Sequence, residues 1–400
     1  MTATTARPAA APSAVVDRLA LDDPGPATPQ LRELRLQARA FAANARAAGR
    51  FEPMCDSWHA GWDPDFSRLL AKQGWVGMTL PTEYGGAGRT AVERYVVVEE
   101  LLAAGAPLAA HWAADRQMGP SIQRLGTAAQ RARWLPPIAR GECSFAIGMS
   151  EPDSGSDLAS VRTRAQRTDD GWRLNGAKVW VTGGYHADAL LVLARTAPHD
   201  PAQRHAGLSQ LLVPANTPGV TVRPIRSLLG PQHLAEVIFT DVVLPADALL
   251  GVEGQGWAQV TAELAVERAG PERFLSTFPL VELAVSAACR SGDRSALALA
   301  GDVLAQLWTL RRMSFRVAAR LDRGRSAEVP AALVKELGTR FEVESVDVAR
   351  RLLGVEPDAS SADPAARLLG QALRSLPAFT LRGGTNEILR GLIARGLRTA

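Results

Sequence analysis

Seven short β-prone runs lie between residues 145 and 239, separated by Gly, Pro, Asn and Asp turns, with no helix-length pattern between any two of them. They are Phe145 to Gly148, Trp172 to Leu174, Lys178 to Thr182, Ala189 to Ala194, Leu211 to Val213, Val220 to Pro224 and Glu236 to Phe239. A doubly wound nucleotide-binding sheet needs a helix after nearly every strand, so this spacing disfavours it and points to a small β-domain. On both sides the texture is helical. Leu31 to Arg50, Asp65 to Gln73, Ala91 to Ala104 and Ala128 to Arg140 precede the β-runs; Trp257 to Val266, Phe274 to Arg290, Ser295 to Arg320, Pro330 to Leu353 and Thr385 to Leu397 follow them. Gly and Pro punctuate the first set at Pro81 to Gly88 and Gly119-Pro120, and Gly354 to Pro364 reads as a loop. The expected fold is α+β and mostly α: a flexible tail at 1–29, a helical domain at 30–140, a β-domain at 141–252 and a second helical domain at 253–400.

Composition removes several function classes. The 45 basic and 41 acidic residues, net +4, are too evenly mixed for a protein that must neutralise many phosphates, so no nucleic-acid role is expected. No apolar stretch reaches the roughly 20 residues of a membrane span. Cys55, Cys143 and Cys289 form no CxxC pair, which speaks against a disulfide framework or zinc site and fits a cytoplasmic protein. Residues 1–29 lack the apolar core of a secretory signal.

Generic catalytic motifs are weak. Gly86-Ala-Gly88-Arg-Thr-Ala91 matches a loose glycine fingerprint but sits among helices and reads as a turn. Gly148-Met-Ser150-Glu-Pro152 lacks the second glycine of a nucleophile elbow. Two segments offer more. Phe145 to Asp157 ends a strand and then presents Ser, Asp, Ser, Gly and Ser, whose N–H groups and hydroxyls suit a pyrophosphate or the polar edge of a heterocycle; a solvated turn has the same composition. Trp172 to Gly184 reads as a hairpin turning at Asn175-Gly176, with Trp180 and Thr182 on one face of the second strand, an aromatic plane and a hydroxyl suited to a flat ring; an edge Trp in a sheet fits equally well.

Taken in order, Pro81-Thr-Glu-Tyr-Gly-Gly86, Ser150-Glu-Pro-Asp-Ser-Gly-Ser-Asp157, Asn175-Gly-Ala-Lys-Val-Trp-Val-Thr182, Glu236 to Gly251 and Gly384-Thr-Asn-Glu-Ile388 resemble the acyl-CoA dehydrogenase family of FAD enzymes, from about Gln30 to the C-terminus. The resemblance implies an N-terminal helical domain, a middle β-barrel-like domain and a C-terminal four-helix-bundle domain. It implies FAD as cofactor, with Ser150 at the pyrimidine edge of the flavin, Thr182 near N5, Trp180 beside the ring, Gly155 and Ser156 where cofactor phosphate and thioester come close, and Gly384 and Thr385 where phosphates meet a helix start. It also implies an acyl-CoA or acyl-carrier thioester substrate, electron-transfer flavoprotein as electron acceptor, and a homo- or hetero-oligomer, dimer or tetramer.

Family members take the α-proton of the thioester with a carboxylate while the β-hydrogen leaves as hydride to N5. Such a base is expected in a dry pocket with a raised pKa. The usual base directly precedes the Gly-Thr of the last motif, and that position here is Gly383. The isovaleryl- and long-chain-type members carry the base on an earlier helix, where this chain has Glu267-Arg268, eleven residues after Gly256. Glu267 is therefore the expected base and Arg268 a substrate-side positioning group, with Glu272 the rival carboxylate on another face. The family's Arg-x-x-Phe-Gly pattern is not recognisable near Arg290 to Ala300. Its Gly-Gly-x-Gly segment is replaced by Leu353-Gly-Val-Glu-Pro-Asp358, and its terminal Gln by Leu389. Two alternatives stay open: a non-catalytic or half-site subunit of a hetero-oligomer, and a flavin oxidase or monooxygenase on the same fold.

Overall fold

The computed structural model describes residues 28–228 and 230–398. Of the tail expected at 1–29, residues 1–27 lie outside the described residues, and Pro29 already begins a helix. The first helical layer comprises α1 (Pro29–Ala47), α2 (Ser57–Ala60), α3 (Pro64–Lys72), α4 (Ala91–Ala103), α5 (Ala109–Ala113), α6 (Gly119–Leu125) and α7 (Ala128–Ala139). Polar caps set the starts. Asp63 accepts from the Phe66 N–H, and Thr90 with Glu93 and Thr127 with Gln130 form reciprocal capping boxes. The break expected at Gly119-Pro120 is absent: a π-turn at Ala114–Met118 leads straight into α6, and Pro120 occupies its first turn, where a missing N–H costs little.

The β-domain is one mixed sheet with the strand order β6-β7-β3-β2-β4-β5-β8 and β1 paired parallel to β4. Its strands are β1 (Phe145–Gly148), β2 (Arg164–Thr168), β3 (Gly171–Thr182), β4 (Ala189–Arg195), β5 (Leu208–Pro214), β6 (Val220–Ser227), β7 (Gly230–Pro245) and β8 (Leu249–Leu250). Every residue of β4 is buried, consistent with its unbroken Ala-Leu-Leu-Val-Leu-Ala run. Trp172, Leu190, Val192, Leu211 and Val237 form one core, while Leu191 and Leu212 pack against Trp134 and Ile138 of α7 in another.

The hairpin reading of Asn175-Gly176 is corrected by the structure. The chain reverses at Asp169-Asp170, between β2 and β3, and Asn175-Gly176 lies inside β3 at a bulge. Gly176, at φ +145, lets the strand kink there, and Asn175 spends its amide on Asp241 of β7 instead of a turn.

The chain then returns to helices: α8 (Gly256–Glu267), α9 (Phe278–Ser291), α10 (Arg294–Asp322), α11 (Glu328–Leu353), α12 (Pro364–Phe379) and α13 (Asn386–Arg398). Helix α12 was not anticipated, although Asp363 capping the Ala366 N–H followed by Pro364 is a helix-start signal. Leu280 and Ala284 of α9, Val346 and Ala349 of α11, and Leu368, Leu369 and Ala372 of α12 form one apolar seam. A larger core joins the two helical parts through Leu34, Phe66, Leu101, Phe274, Leu310 and Phe341. Among the described residues no helix is long and apolar enough to cross a membrane.

Candidate active site

Glu267 is the last residue of α8, where unpaired carbonyls gather and cations are favoured. Its carbonyl accepts from Arg116 Nη2 at 2.7 Å and Arg273 Nε at 3.3 Å, and its carboxylate Oε1 accepts from Arg273 Nη2. Burial pushes this carboxyl up, but the Arg273, Arg268 and Arg116 guanidiniums outweigh burial and hold it below the usual carboxylate range. The raised pKa expected from a dry pocket is thus corrected, because the pocket wall is cationic.

The surroundings of this carboxylate come from separate elements. Arg116 belongs to the π-turn, Arg273 to the Pro271–Arg273 turn after α8, and Gly383 to the loop before α13. A Cβ built on Gly383, which has φ +67, would stand 2.9 Å from Glu267 Oε1 and 3.2 Å from Arg273 Nη2. Arg268 donates from Nε to the Gly383 carbonyl at 3.1 Å, and Lys335 of α11 donates from Nζ to the Gly384 carbonyl at 2.6 Å. The two cations therefore pin consecutive carbonyls of the glycine turn. Lys335 is fully buried, and burial followed by Arg273 brings it down to about 7. Sequence reading missed Lys335, Arg273 and Arg116, since a Lys or Arg within a helical texture reads as a solvated face.

Glu272 is placed differently. It is fully buried, with Oε1 2.6 Å from Arg116 Nη2 and Oε2 accepting from Nη1 at 3.1 Å. A carboxylate so engaged with a guanidinium fork is a structural partner.

The residues expected on the flavin side sit at the end of β3 and around it. Thr182 Oγ1 lies 3.2 Å from His59 Nε2, and Ser150 accepts at its carbonyl from the Val179 N–H at 2.9 Å. Buried Lys178 ties the Ser150 loop to β3, donating to the Met149 carbonyl at 3.0 Å and to Glu151 Oε1 at 2.8 Å. Trp180 is 60% exposed with φ +60, at a second bulge of β3, so the simple alternation that put it on one face with Thr182 is interrupted there. Gly155 has nothing within 4 Å of its Cβ direction, and Ser156 is exposed. Among the described residues neither hydrogen-bonds to another of the expected site residues. Thr385 Oγ1 accepts from the Ile388 N–H at 3.4 Å at the start of α13.

These residues fit FAD. A large indole held outward in a left-handed backbone, an open glycine beside hydroxyls, and a double-glycine turn feeding the N-terminus of a 13-residue helix next to Lys335 suit a flat ring with a pyrophosphate. A cavity of about 760 Å³ opens a few residues from Ser156, lined by Arg162, Arg164, Arg195 and His199. Arg195 is buried there and donates only to carbonyls, those of Ala159, Val161, Arg204 and Ala206.

Known proteins share this architecture. Residues 28–142, 146–242 and 295–398 match the models of the acyl-CoA dehydrogenase N-terminal, middle and C-terminal domains. The chain is 32% identical over 380 residues to acyl-CoA dehydrogenase FadE29 of Mycobacterium tuberculosis, covering 92% of this chain and 96% of that one. It is 30% identical to acyl-CoA dehydrogenase FadE26 of the same organism, covering 93% and 98%. Among solved structures, the Tcur3481-Tcur3483 steroid ACAD superposes with a TM-score of 0.81 at 27% identity, over 93% of this chain and 97% of that one. The ChsE4-ChsE5 complex from Mycobacterium tuberculosis does so with a TM-score of 0.78 at 26% identity, over 93% and 98%.

Proposed function

The chain belongs to the acyl-CoA dehydrogenase family of FAD-dependent oxidoreductases, and from that premise we propose that it desaturates an acyl-CoA thioester between Cα and Cβ with Glu267 as the base. One observation carries the assignment. A side chain rooted at Gly383, the family's usual base position, would begin 2.9 Å from Glu267 Oε1, so the Glu267 carboxylate lies beside that position and reaches it from α8. The bound flavin supplies the hydride acceptor.

The rest belongs to the chain's own groups. Glu267, held ionised by its three guanidiniums, takes the α-proton. Release of its carboxylate from Arg273 restores the basicity that burial confers, so thioester entry and base activation are linked at that one ion pair. Arg268 and Lys335 hold the Gly383 and Gly384 carbonyls, which fixes the glycine turn beside the Glu267 carboxylate. Ser150, Trp180 and Thr182 hold the flavin ring, Gly155, Ser156, Gly384 and Thr385 its phosphate side, and the division at 30–140, 141–252 and 253–400 belongs to the same proposal. The cavity lined by Ser160, Arg162, Arg164 and Arg195 favours a substrate whose carrier end bears phosphates, which is CoA in preference to a protein-bound pantetheine.

A steroid-type ring or side chain is the favoured acyl group, because structures at 27% and 26% identity are a steroid ACAD and a two-protein complex. The same likeness, with the missing family segments at Arg290 to Ala300 and Leu353 to Asp358, favours assembly with a second chain, and electron-transfer flavoprotein is the proposed acceptor. Anaerobic titration of the FAD-loaded protein with straight, branched and cyclic acyl-CoAs tests the proposal. Bleaching of the flavin band by one class supports it, and a flavin that none of them bleaches, even when the proposed second chain is supplied, overturns it.

A further inference from the structure

The short helix α2 places two aromatic side chains on the two halves of the site. Trp58 lies under the guanidinium of Arg273, at 5.1 Å from its centroid, and under that of Arg382, at 4.5 Å. His59, the next residue, reaches the other way to Thr182 Oγ1, 3.2 Å from Nε2. The segment is held on both sides. Asp56 has φ +56, its N–H donates to the Ser276 carbonyl at 2.7 Å, and its carbonyl accepts from the N–H groups of His59 and Ala60. Its fully buried carboxylate is gripped by the Arg382 fork at 2.8 and 2.9 Å.

We propose that His59 is a positioning residue for the Thr182 hydroxyl, accepting the hydroxyl hydrogen on Nε2 so that Thr182 offers an oxygen lone pair to the flavin edge. The tautomer follows from the neighbours. His59 Nδ1 stands 3.6 Å from Asp56 Oδ2 and has no hydrogen-bond partner among the described residues. A ring N–H directed at that carboxylate is attracted, whereas a bare lone pair there would face negative charge. With the proton on Nδ1, Nε2 is an acceptor, and the 3.2 Å contact is a bond donated by Thr182.

The surroundings keep the ring neutral. Burial, then Arg382, lowers His59 to about 4 against the pull of Asp56, with Arg273 acting in the same direction as Arg382. The His233 ring, 4.1 Å away by centroids, is itself lowered to about 3, so it brings no charge.

The consequence rests on the reading that Thr182 borders flavin N5. An oxidised ring presents a lone pair at N5 and a reduced ring an N–H. A Thr182 committed to His59 therefore matches the reduced ring, and the pair raises the cofactor's potential.

The test uses the FAD-loaded protein and its midpoint potential by dye-coupled anaerobic titration. His59→Phe, which lets the Thr182 hydroxyl turn to the oxidised ring, is expected to lower the potential by about 30 mV, a tenfold change for a two-electron couple. His59→Gln, which can still accept, is expected to retain most of it, and in a Thr182→Val background the His59→Phe shift should vanish. A shift of the same size in that background assigns His59 a merely structural role and overturns the inference. If Thr182→Val moves the potential and His59→Phe does not, the inference fails while the flavin reading stands; if neither moves it, both fail. A measurement free of any variant is the imidazole ¹⁵N spectrum: a hydrogen on His59 Nδ1 supports the inference, and one on Nε2 overturns it.

Discussion

Glu267 Oε1 stands 2.9 Å from the point where a Cβ on Gly383 would lie. Two positions 116 residues apart in sequence thus border one volume, and a side chain rooted at 383 would crowd the Glu267 carboxylate. Glycine at 383 leaves the space free, and its φ of +67 is one that a residue with a Cβ rarely adopts.

Glu267→Gln is expected to keep the fold and the flavin and to lose substrate-driven flavin reduction by at least a hundredfold, the scale of a missing general base. Glu272→Gln should do the reverse in kind. It strips Arg116 of its buried carboxylate and is expected to cost about 3–5 kcal/mol of stability. Single-turnover reduction and denaturant melts of the two variants separate these outcomes. Normal reduction by the Glu267 variant would remove it as the base.

Arg273→Gln removes the nearest cation from the Glu267 carboxylate. Burial then meets less opposition, so the carboxyl rises from its depressed value. Because the base must be ionised to act, the acid limb of log kcat/KM moves to higher pH in the variant, with Arg268 and Arg116 limiting the move. A pH profile of both proteins checks this, and an unmoved limb means that it reports another group.

Trp180 is held at φ +60, a conformation costly for an aromatic residue. Trp180→Gly is expected to relieve that strain, stabilising the cofactor-free chain by about 1 kcal/mol while weakening FAD binding. Urea melts without FAD and fluorescence titration with it measure both. A variant that binds FAD as tightly as the parent would take Trp180 out of the flavin site.

The helix, sheet, helix order was legible because it rests on local periodicity, and β4 and α10 appear nearly where their patterns place them. The errors share a cause. Asn175-Gly176 is a turn signal in isolation, but pairing of β3 with β7 on its far side absorbs it as a bulge, a contact that local sequence does not encode. In the proposed site, motifs single out Glu267 and Thr182 as candidates. Arg116, Arg273, Lys335 and His59 are not singled out, because each matters only through what three distant segments bring against it.

Asp56 and Arg382 join the first helical layer to the loop before α13, with Asp56 fully buried and Arg382 largely so. Burial alone would raise the Asp56 carboxyl, and the Arg382 fork reverses that, leaving it well below the usual carboxylate range. A depressed folded value means that the stability it contributes is present above the unfolded value of about 3.9 and is lost as pH falls through the folded one. Asp56→Asn leaves Arg382 buried without a counter-charge, and is expected to cost about 3–5 kcal/mol at neutral pH. Denaturant melts of the two proteins should show a constant difference from pH 7 down to about 5, narrowing at more acid pH. A difference that does not depend on pH would mean that the carboxylate charge is not what holds Arg382, and that the loop carrying Gly383 is anchored by packing on Trp58 and Phe379 instead.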